Sequence, residues 1–216
     1  MKKLERDFYL CDGIELSKKL LGKVLVRTKN GIITSARIVE TEAYMGPADK
    51  AAHSWKGPRD GRCSIQYGPG GYAYVYLIYG MYSCFNIVAN VENVPEVSLI
   101  RALEPLDGIE HMMARRKCDK VKNLCSGPGK LCMAMDIDRS LYGADLCGDE
   151  LYLADDGYSG FEIQAGKRIN IDYAQEAVDF PWRFIIKGNK FVSRGQPGAV
   201  SPAGPPSASG AFAYEI

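Results

Sequence analysis

At 216 residues and 23.8 kDa the chain is long enough for one well-buried core, and 46% hydrophobic with 25% charged residues is the balance of an ordinary globular protein. That balance excludes wholesale disorder, collagen-like repeats and a polytopic membrane protein. The formal net charge of +1 gives no argument for a nucleic-acid partner by itself, but its distribution is uneven. His111 to Leu131 holds six basic residues against one acid and Phe180 to Arg194 four against none, whereas Cys132 to Asp179 holds three basic and eleven acidic residues. Such islands give either a positive face that steers toward phosphate or merely scattered, solvated charge.

Seven cysteines without a Cys-x-x-Cys pair and only two histidines, His53 and His111, speak against a zinc site or iron–sulfur cluster and fit a reducing, intracellular compartment. The N-terminus, Met1-Lys2-Lys3-Leu4-Glu5-Arg6-Asp7, is too charged for a signal peptide. Cys63 to Val91 carries no formal charge, but Gly68-Pro69-Gly70-Gly71 and six tyrosines interrupt it, so it reads as a buried or half-buried sheet segment rather than a membrane span.

In chain order, Gly13 to Leu21 places Ile14, Leu16, Leu20 and Leu21 at near-helical spacing and stops at Gly22. Lys23 to Thr28 and Ile32 to Tyr44 are β-branched runs joined across Asn30-Gly31, a strong hairpin signal. If the second strand stays regular, Ile38, Glu40, Glu42 and Tyr44 share one face. Two carboxylates and a tyrosine there are either a site or a pair exposed at a sheet edge. Tyr72 to Ile78 and Met81 to Ala89 form the next two strands, with Tyr79-Gly80 at the turn between them. Val97 to Leu103 is another strand, and Pro105 is expected to open a helix running to Arg116. Ser126-Gly127-Pro128-Gly129-Lys130 has the cap residue and early proline of a helix start. Short acidic loops and a strand pair, Arg183 to Ile186 with Lys190 to Ser193, complete a domain spanning 1–194. From Gly195 onward sixteen of 22 residues are Gly, Pro, Ser or Ala, so 195–216 reads as a flexible tail.

Among candidate reactive groups, a carboxylate is the only plausible general base besides the two histidines, and Glu42 lies just ahead of a Gly46-Pro47 turn. His53 is either a hydrogen-bonded loop histidine or part of a site. Tyr67, Tyr72, Tyr74, Tyr76, Tyr79 and Tyr82 fall within sixteen positions, and their hydroxyls need partners if buried. A core role covers some of them. It does not cover Tyr79 at a turn tip, where an aromatic wedge for base stacking is a physical use.

Glu40-Thr41-Glu42-Ala43-Tyr44-Met45-Gly46-Pro47, Ala51-Ala52-His53-Ser54, Tyr74 to Tyr82, Leu99-Ile100-Arg101-Ala102-Leu103-Glu104-Pro105 and Cys125 to Leu131 together resemble the alkyladenine (3-methyladenine) DNA glycosylases. The blocks keep the family's order and spacing from the first helix to about Ser193. The resemblance implies a mixed α+β fold: one compact domain with a curved antiparallel sheet, surrounding helices, and a hairpin that enters the DNA minor groove. It implies Glu42 as the water-activating base, with Arg101 near the water and the DNA backbone. Tyr44, His53 and Tyr76 would wall the flipped base, Tyr79 would intercalate, and Asn86 would disfavour guanine's exocyclic amine. Met81, Arg59, Ser126, Gly127 and Lys130 would contact DNA. The loop after the histidine departs from the family pattern, because Gly57-Pro58-Arg59-Asp60 places an acid where phosphate repels it.

The implied activity is monofunctional excision of alkylated purines (3-methyladenine, 7-methylguanine), with deaminated and etheno purines as further candidates, leaving an abasic site. The implied partner is double-stranded DNA carrying damaged purines, with no cofactor, no metal and no membrane, the enzyme acting as a monomer. The chemistry is coherent. Alkylation at N3 or N7 makes the purine a cation, hence both a good leaving group and a ligand for electron-rich rings. A carboxylate can then orient water toward C1′ and stabilise an oxocarbenium-like sugar. The rival from another class is a module that binds damaged duplex without excision, and a hydrolase of free nucleosides is disfavoured by the tyrosine at the tip.

Overall fold

A computed structural model describes residues 1–57 and 61–193; Arg59, Asp60 and the tail from 195 lie outside the described residues. Nine strands form one open antiparallel sheet: β1 (Lys2–Lys3), β2 (Val24–Lys29), β3 (Ile32–Tyr44), β4 (Ala73–Ile78), β5 (Tyr82–Ala89), β6 (Glu96–Asp107), β7 (Leu151–Asp155), β8 (Ile163–Gly166) and β9 (Arg183–Ile186). The order is β1-β7-β2-β3-β6-β5-β4, and β9 joins β3 to β8 off this path. Three α-helices complete the described fold: α1 (Gly13–Leu20), α2 (Ile109–Arg116) and α3 (Pro128–Ala134). The helices lie over the centre of the sheet, α1 against β3 and β6, α3 against β5 and β6, and α2 against α3.

Local chemistry accounts for the elements near the site. The Asp12 side chain accepts from the Glu15 N–H at 2.8 Å and caps α1, whose Leu16 and Leu20 are fully buried. Burying each contributes about 1.5–3 kcal/mol. α1 is pinned to the strands beneath it: the Thr41 hydroxyl donates to the Ser17 carbonyl at 2.8 Å and the Ser17 and Ser98 hydroxyls meet at 2.8 Å. Asn30 and Gly31 have φ of +52° and +77°, so the β2–β3 connection is a two-residue turn of the kind whose twist matches a hairpin. Tyr79 and Gly80, at +53° and +71°, with Met81 form the three-residue connection from β4 to β5, closed by the Met81 N–H on the Ile78 carbonyl at 3.3 Å.

Five expectations are corrected. The helix does not open at Pro105, because β6 runs on to Asp107 and α2 starts at Ile109. Pro105 pairs with Ala36 beside a register shift, a bulge being one of the few sheet positions where a residue without an N–H is tolerated. Residues 190–193 do not pair with β9, whose partners are β8 and β3. Instead Phe191 packs into the core and Ser193 reaches Glu40. The acidic stretch 132–179 is not all loop, since it supplies β7 and β8. Finally, β3 is not regular: register shifts flank Glu40, and Ile38 packs in the main core while Glu40, Glu42 and Tyr44 converge elsewhere. The uncharged segment from Cys63 is sheet only in part, since Gly61–Tyr67 is a 3-10 turn ahead of β4.

Candidate active site

Strand register assembles the site. Tyr74 pairs with Asn86, Asn86 with Leu99, Leu99 with Glu42 and Glu42 with Arg183, a single row crossing β4, β5, β6, β3 and β9. Cross-strand partners share a face, so residues more than a hundred positions apart become neighbours. The row lies under a cleft of about 700 Å³.

Both carboxylates of β3 are completely buried, not exposed at an edge, but their surroundings differ. Glu40 is saturated by strong donors: Arg101 Nε at 3.1 Å, Arg183 Nε at 2.8 Å, and the Ser193 hydroxyl and N–H at 3.0 and 2.7 Å. Glu42 is held more lightly: its Oε1 accepts from the Ile169 N–H at 2.8 Å, and its Oε2 from the Tyr44 hydroxyl at 2.9 Å and Arg101 Nη1 at 3.4 Å. Tyr44, Arg101 and Ile169 all line the cleft, so Glu42 stands one residue behind its wall. Burial works against the Arg101 charge, but Glu42 and Glu40 outweigh it and hold the guanidinium pKa above its usual value. Burial, reinforced by the Glu42 charge, pushes the Tyr44 hydroxyl well up, keeping it a donor.

The opposite wall is aromatic. His53 Nδ1 and the Tyr74 hydroxyl lie 2.7 Å apart, the His53 ring is 4.6 Å from Tyr76, and Tyr74 and Tyr76 are 5.3 Å apart. Burial, with Arg62 adding to it, lowers the His53 pKa from 6.5 to about 4, so the imidazole is neutral at physiological pH. Burial likewise raises the Tyr74 and Tyr76 hydroxyls. The wall is therefore uncharged and electron-rich. Asn86 is buried in the cleft lining, and its amide donates to the Tyr74 carbonyl at 3.1 Å.

At the mouth, Tyr79 is 78% exposed on the β4–β5 tip and Met81 beside it is 68% exposed. Ser126, Gly127 and Lys130 line the same cleft, Lys130 being exposed with its ammonium 3.5 Å from the Ser126 hydroxyl. Arg59 is among the residues not described, while Arg62, three positions on, lines the cleft. Among the described residues no group of three His, Cys, Asp or Glu is arranged to hold a metal ion.

The chain matches the methylpurine-DNA glycosylase (MPG) family over residues 7–190. It belongs to that family. A relative from Alkaliphilus oremlandii (strain OhILAs), named "Putative 3-methyladenine DNA glycosylase", is 56% identical over 200 residues, covering 89% of this chain and 99% of the relative. Relatives of the same name from Clostridium acetobutylicum and Bacillus cereus (strain G9842) are 53% and 51% identical, covering 88% and 87% of this chain and 97% of each relative. Family membership makes the chain a DNA glycosylase, a hydrolase of N-glycosyl bonds acting in base-excision repair.

Sequence reasoning missed several parts of the glycosylase cleft. The Ile169 N–H is a main-chain donor, which no residue type announces. Arg168 and Asp49 form a fully buried ion pair beside Tyr44, joining loops more than a hundred residues apart. Gln66 and Tyr173 also line the cleft. The tyrosine density extending from Tyr67 was the one signal that pointed into this region.

Proposed function

We propose that the chain excises alkylated purines, 3-methyladenine and 7-methylguanine first among them, from duplex DNA as a monofunctional, monomeric glycosylase. A purine flipped out of the duplex enters between Tyr44 on one side and His53 with Tyr76 on the other. Its positive charge is met by neutral rings rather than by a protonated imidazole, since His53 titrates near 4. Glu42 orients a water toward C1′, accepts its proton and offsets the oxocarbenium charge, with Arg101 beside it. The purine leaves neutral, and an abasic site remains. Tyr79, with Met81, fills the gap left in the stack. Ser126, Gly127 and Lys130 meet the DNA backbone, and Asn86 disfavours guanine's 2-amino group.

One observation carries this reading: a fully buried carboxylate whose three partners, Tyr44, Arg101 and Ile169, all line a cleft walled by uncharged aromatic rings. A carboxylate fixed by directed hydrogen bonds just behind a cleft wall is placed to orient a water that enters the cleft. The experiment is incubation with duplex DNA carrying 3-methyladenine and 7-methylguanine, followed by chromatography of released bases. Free methylpurines are expected with or without chelator, with strands intact until alkali is added. Binding without base release would favour the binding-only module. Trapping of an enzyme–DNA adduct by borohydride would replace water by an amine as nucleophile.

A further inference from the structure

One wall of the Glu42 site is the stretch 167–173, which is neither helix nor strand. Its Arg168 side chain ties it to β3 and to the loop at Asp49. Arg168 is completely buried and meets Asp49, equally buried, through both terminal nitrogens, with Nη2 to Oδ1 at 2.8 Å. Nη1 also donates to the Ala43 carbonyl on β3 at 2.9 Å and Nη2 to the Ala177 carbonyl at 3.3 Å. The guanidinium lies 4.7 Å from the centre of the Tyr44 ring and 5.0 Å from that of Trp182. Asp49 in turn accepts the N–H groups of Met45 and Ala51, which begin the loop leading to His53.

We infer that Arg168 is a positioning residue for Glu42. It touches no reacting atom, yet it sets two of the three groups that hold the carboxylate: the N–H of its neighbour Ile169 on Oε1, and the Tyr44 ring, whose hydroxyl meets Oε2. Stability alone gives no reason for the choice. A buried ion pair is often replaceable by apolar side chains without loss, and the Arg168 Nε is buried with no hydrogen-bond partner among the described residues, a cost that an apolar residue would not carry. What an apolar residue lacks is the planar fork that fixes a loop relative to a strand. Asp49 has a second effect, since its charge neutralises a cation placed directly behind Tyr44, where it would otherwise repel a positively charged purine.

This inference deepens the glycosylase reading and rests on it, and the test separates the two. The full-length chain is compared with Arg168→Met, Arg168→Lys and Glu42→Gln in three measurements. These are single-turnover release of 7-methylguanine, binding to duplex containing an abasic-site analogue, and the NMR resonance of the Ile169 amide proton. Arg168→Met is expected to slow release about tenfold to a hundredfold, the scale of a misplaced catalytic group, while binding stays close to wild type. The Ile169 amide resonance should move upfield as it does in Glu42→Gln, because both lose the bond to a carboxylate. Arg168→Lys, with the charge but not the fork, should fall between, and it decides the matter if Arg168→Met does not fold. A folded variant with wild-type release, with release and binding falling in parallel, or with an unmoved Ile169 resonance overturns the inference. If the wild-type chain releases no purine, the glycosylase reading fails, while the Ile169 resonance still decides whether Arg168 places that carboxylate.

Discussion

The floor of the cleft and the tip of its hairpin answer to different demands. At the floor, Glu40 and Glu42 are completely sealed and each faces arginine, whereas at the tip Tyr79 and Met81 stand 78% and 68% in solvent. Burying charge is tolerated only with partners in place, so the order of the floor is a condition of folding as well as of chemistry. An aromatic ring at +53° φ in solvent does nothing comparable for the fold. Changes at the floor should therefore mix stability with chemistry, and changes at the tip should show binding alone.

The sharpest test is Glu42→Gln, which keeps the shape of the floor but cannot take a proton. Single-turnover excision should fall by about two to four orders of magnitude while binding to an abasic-site analogue persists. Retained excision would move the base to Glu40 and erase the distinction between the two carboxylates. Glu40→Ala should act on folding instead, because it strips Arg101 and Arg183 of a shared partner. A loss of about 3–5 kcal/mol in unfolding free energy from urea titration is expected, the usual cost of breaking a buried pair. An unchanged midpoint would mean that the floor charges do not depend on one another.

Acid should also strain the cleft wall. The unfolded chain protonates His53 as pH falls through 6.5, but the folded chain resists until about 4, so stability is lost across that window and none is lost above it. The deficit is on the order of a few kcal/mol by pH 4. Comparing urea midpoints at neutral and acid pH for wild type and His53→Gln isolates it, and equal acid losses in the two proteins would refute it. At the tip, Tyr79→Ser should leave the unfolding free energy from urea titration within about 0.5 kcal/mol of wild type. Affinity for duplex containing a lesion should drop about tenfold, and affinity for undamaged duplex less, because unstacking costs a few kcal/mol that the ring offsets. Equal losses on both substrates would leave the ring without a role in flipping. The smallest effect belongs to Asn86→Ser, which should raise release of guanine or 7-methylguanine relative to hypoxanthine several-fold in a folded protein. An unchanged ratio of released bases would clear Asn86 of that discrimination.

Much of this contrast was legible in the residues. The Asn30-Gly31 and Tyr79-Gly80 turns announced both hairpins, since each needs two residues with positive φ. Glu42, Tyr44, His53, Tyr76, Asn86 and Arg101 stand in or directly behind one cleft, and the tip residue is exposed, as a turn between apolar strands requires. Other features were hidden for physical reasons. Pro105 reads as a helix opener by local preference, and only the bulge opposite Ala36, a tertiary fact, lets it stay in a strand. β8 is four residues of mixed character whose pairing depends on β9. The bond from Ile169 to Glu42 comes from a backbone group, and the Arg168–Asp49 pair spans 119 positions, which no local pattern encodes.

The strand that carries Glu42 is laced on both sides. β3 pairs with β2 through its first half, with β6 from Ser35 to Tyr44, and with β9 at Glu40, Thr41 and Glu42. A strand paired on both sides is shielded from local opening, which places Glu42 in the last cooperative unit to come apart. The hairpin tip, bounded by a single turn, belongs to the first. A chain nicked or frayed at its tip can still hold its carboxylate in place, whereas a chain in which β3 has opened cannot.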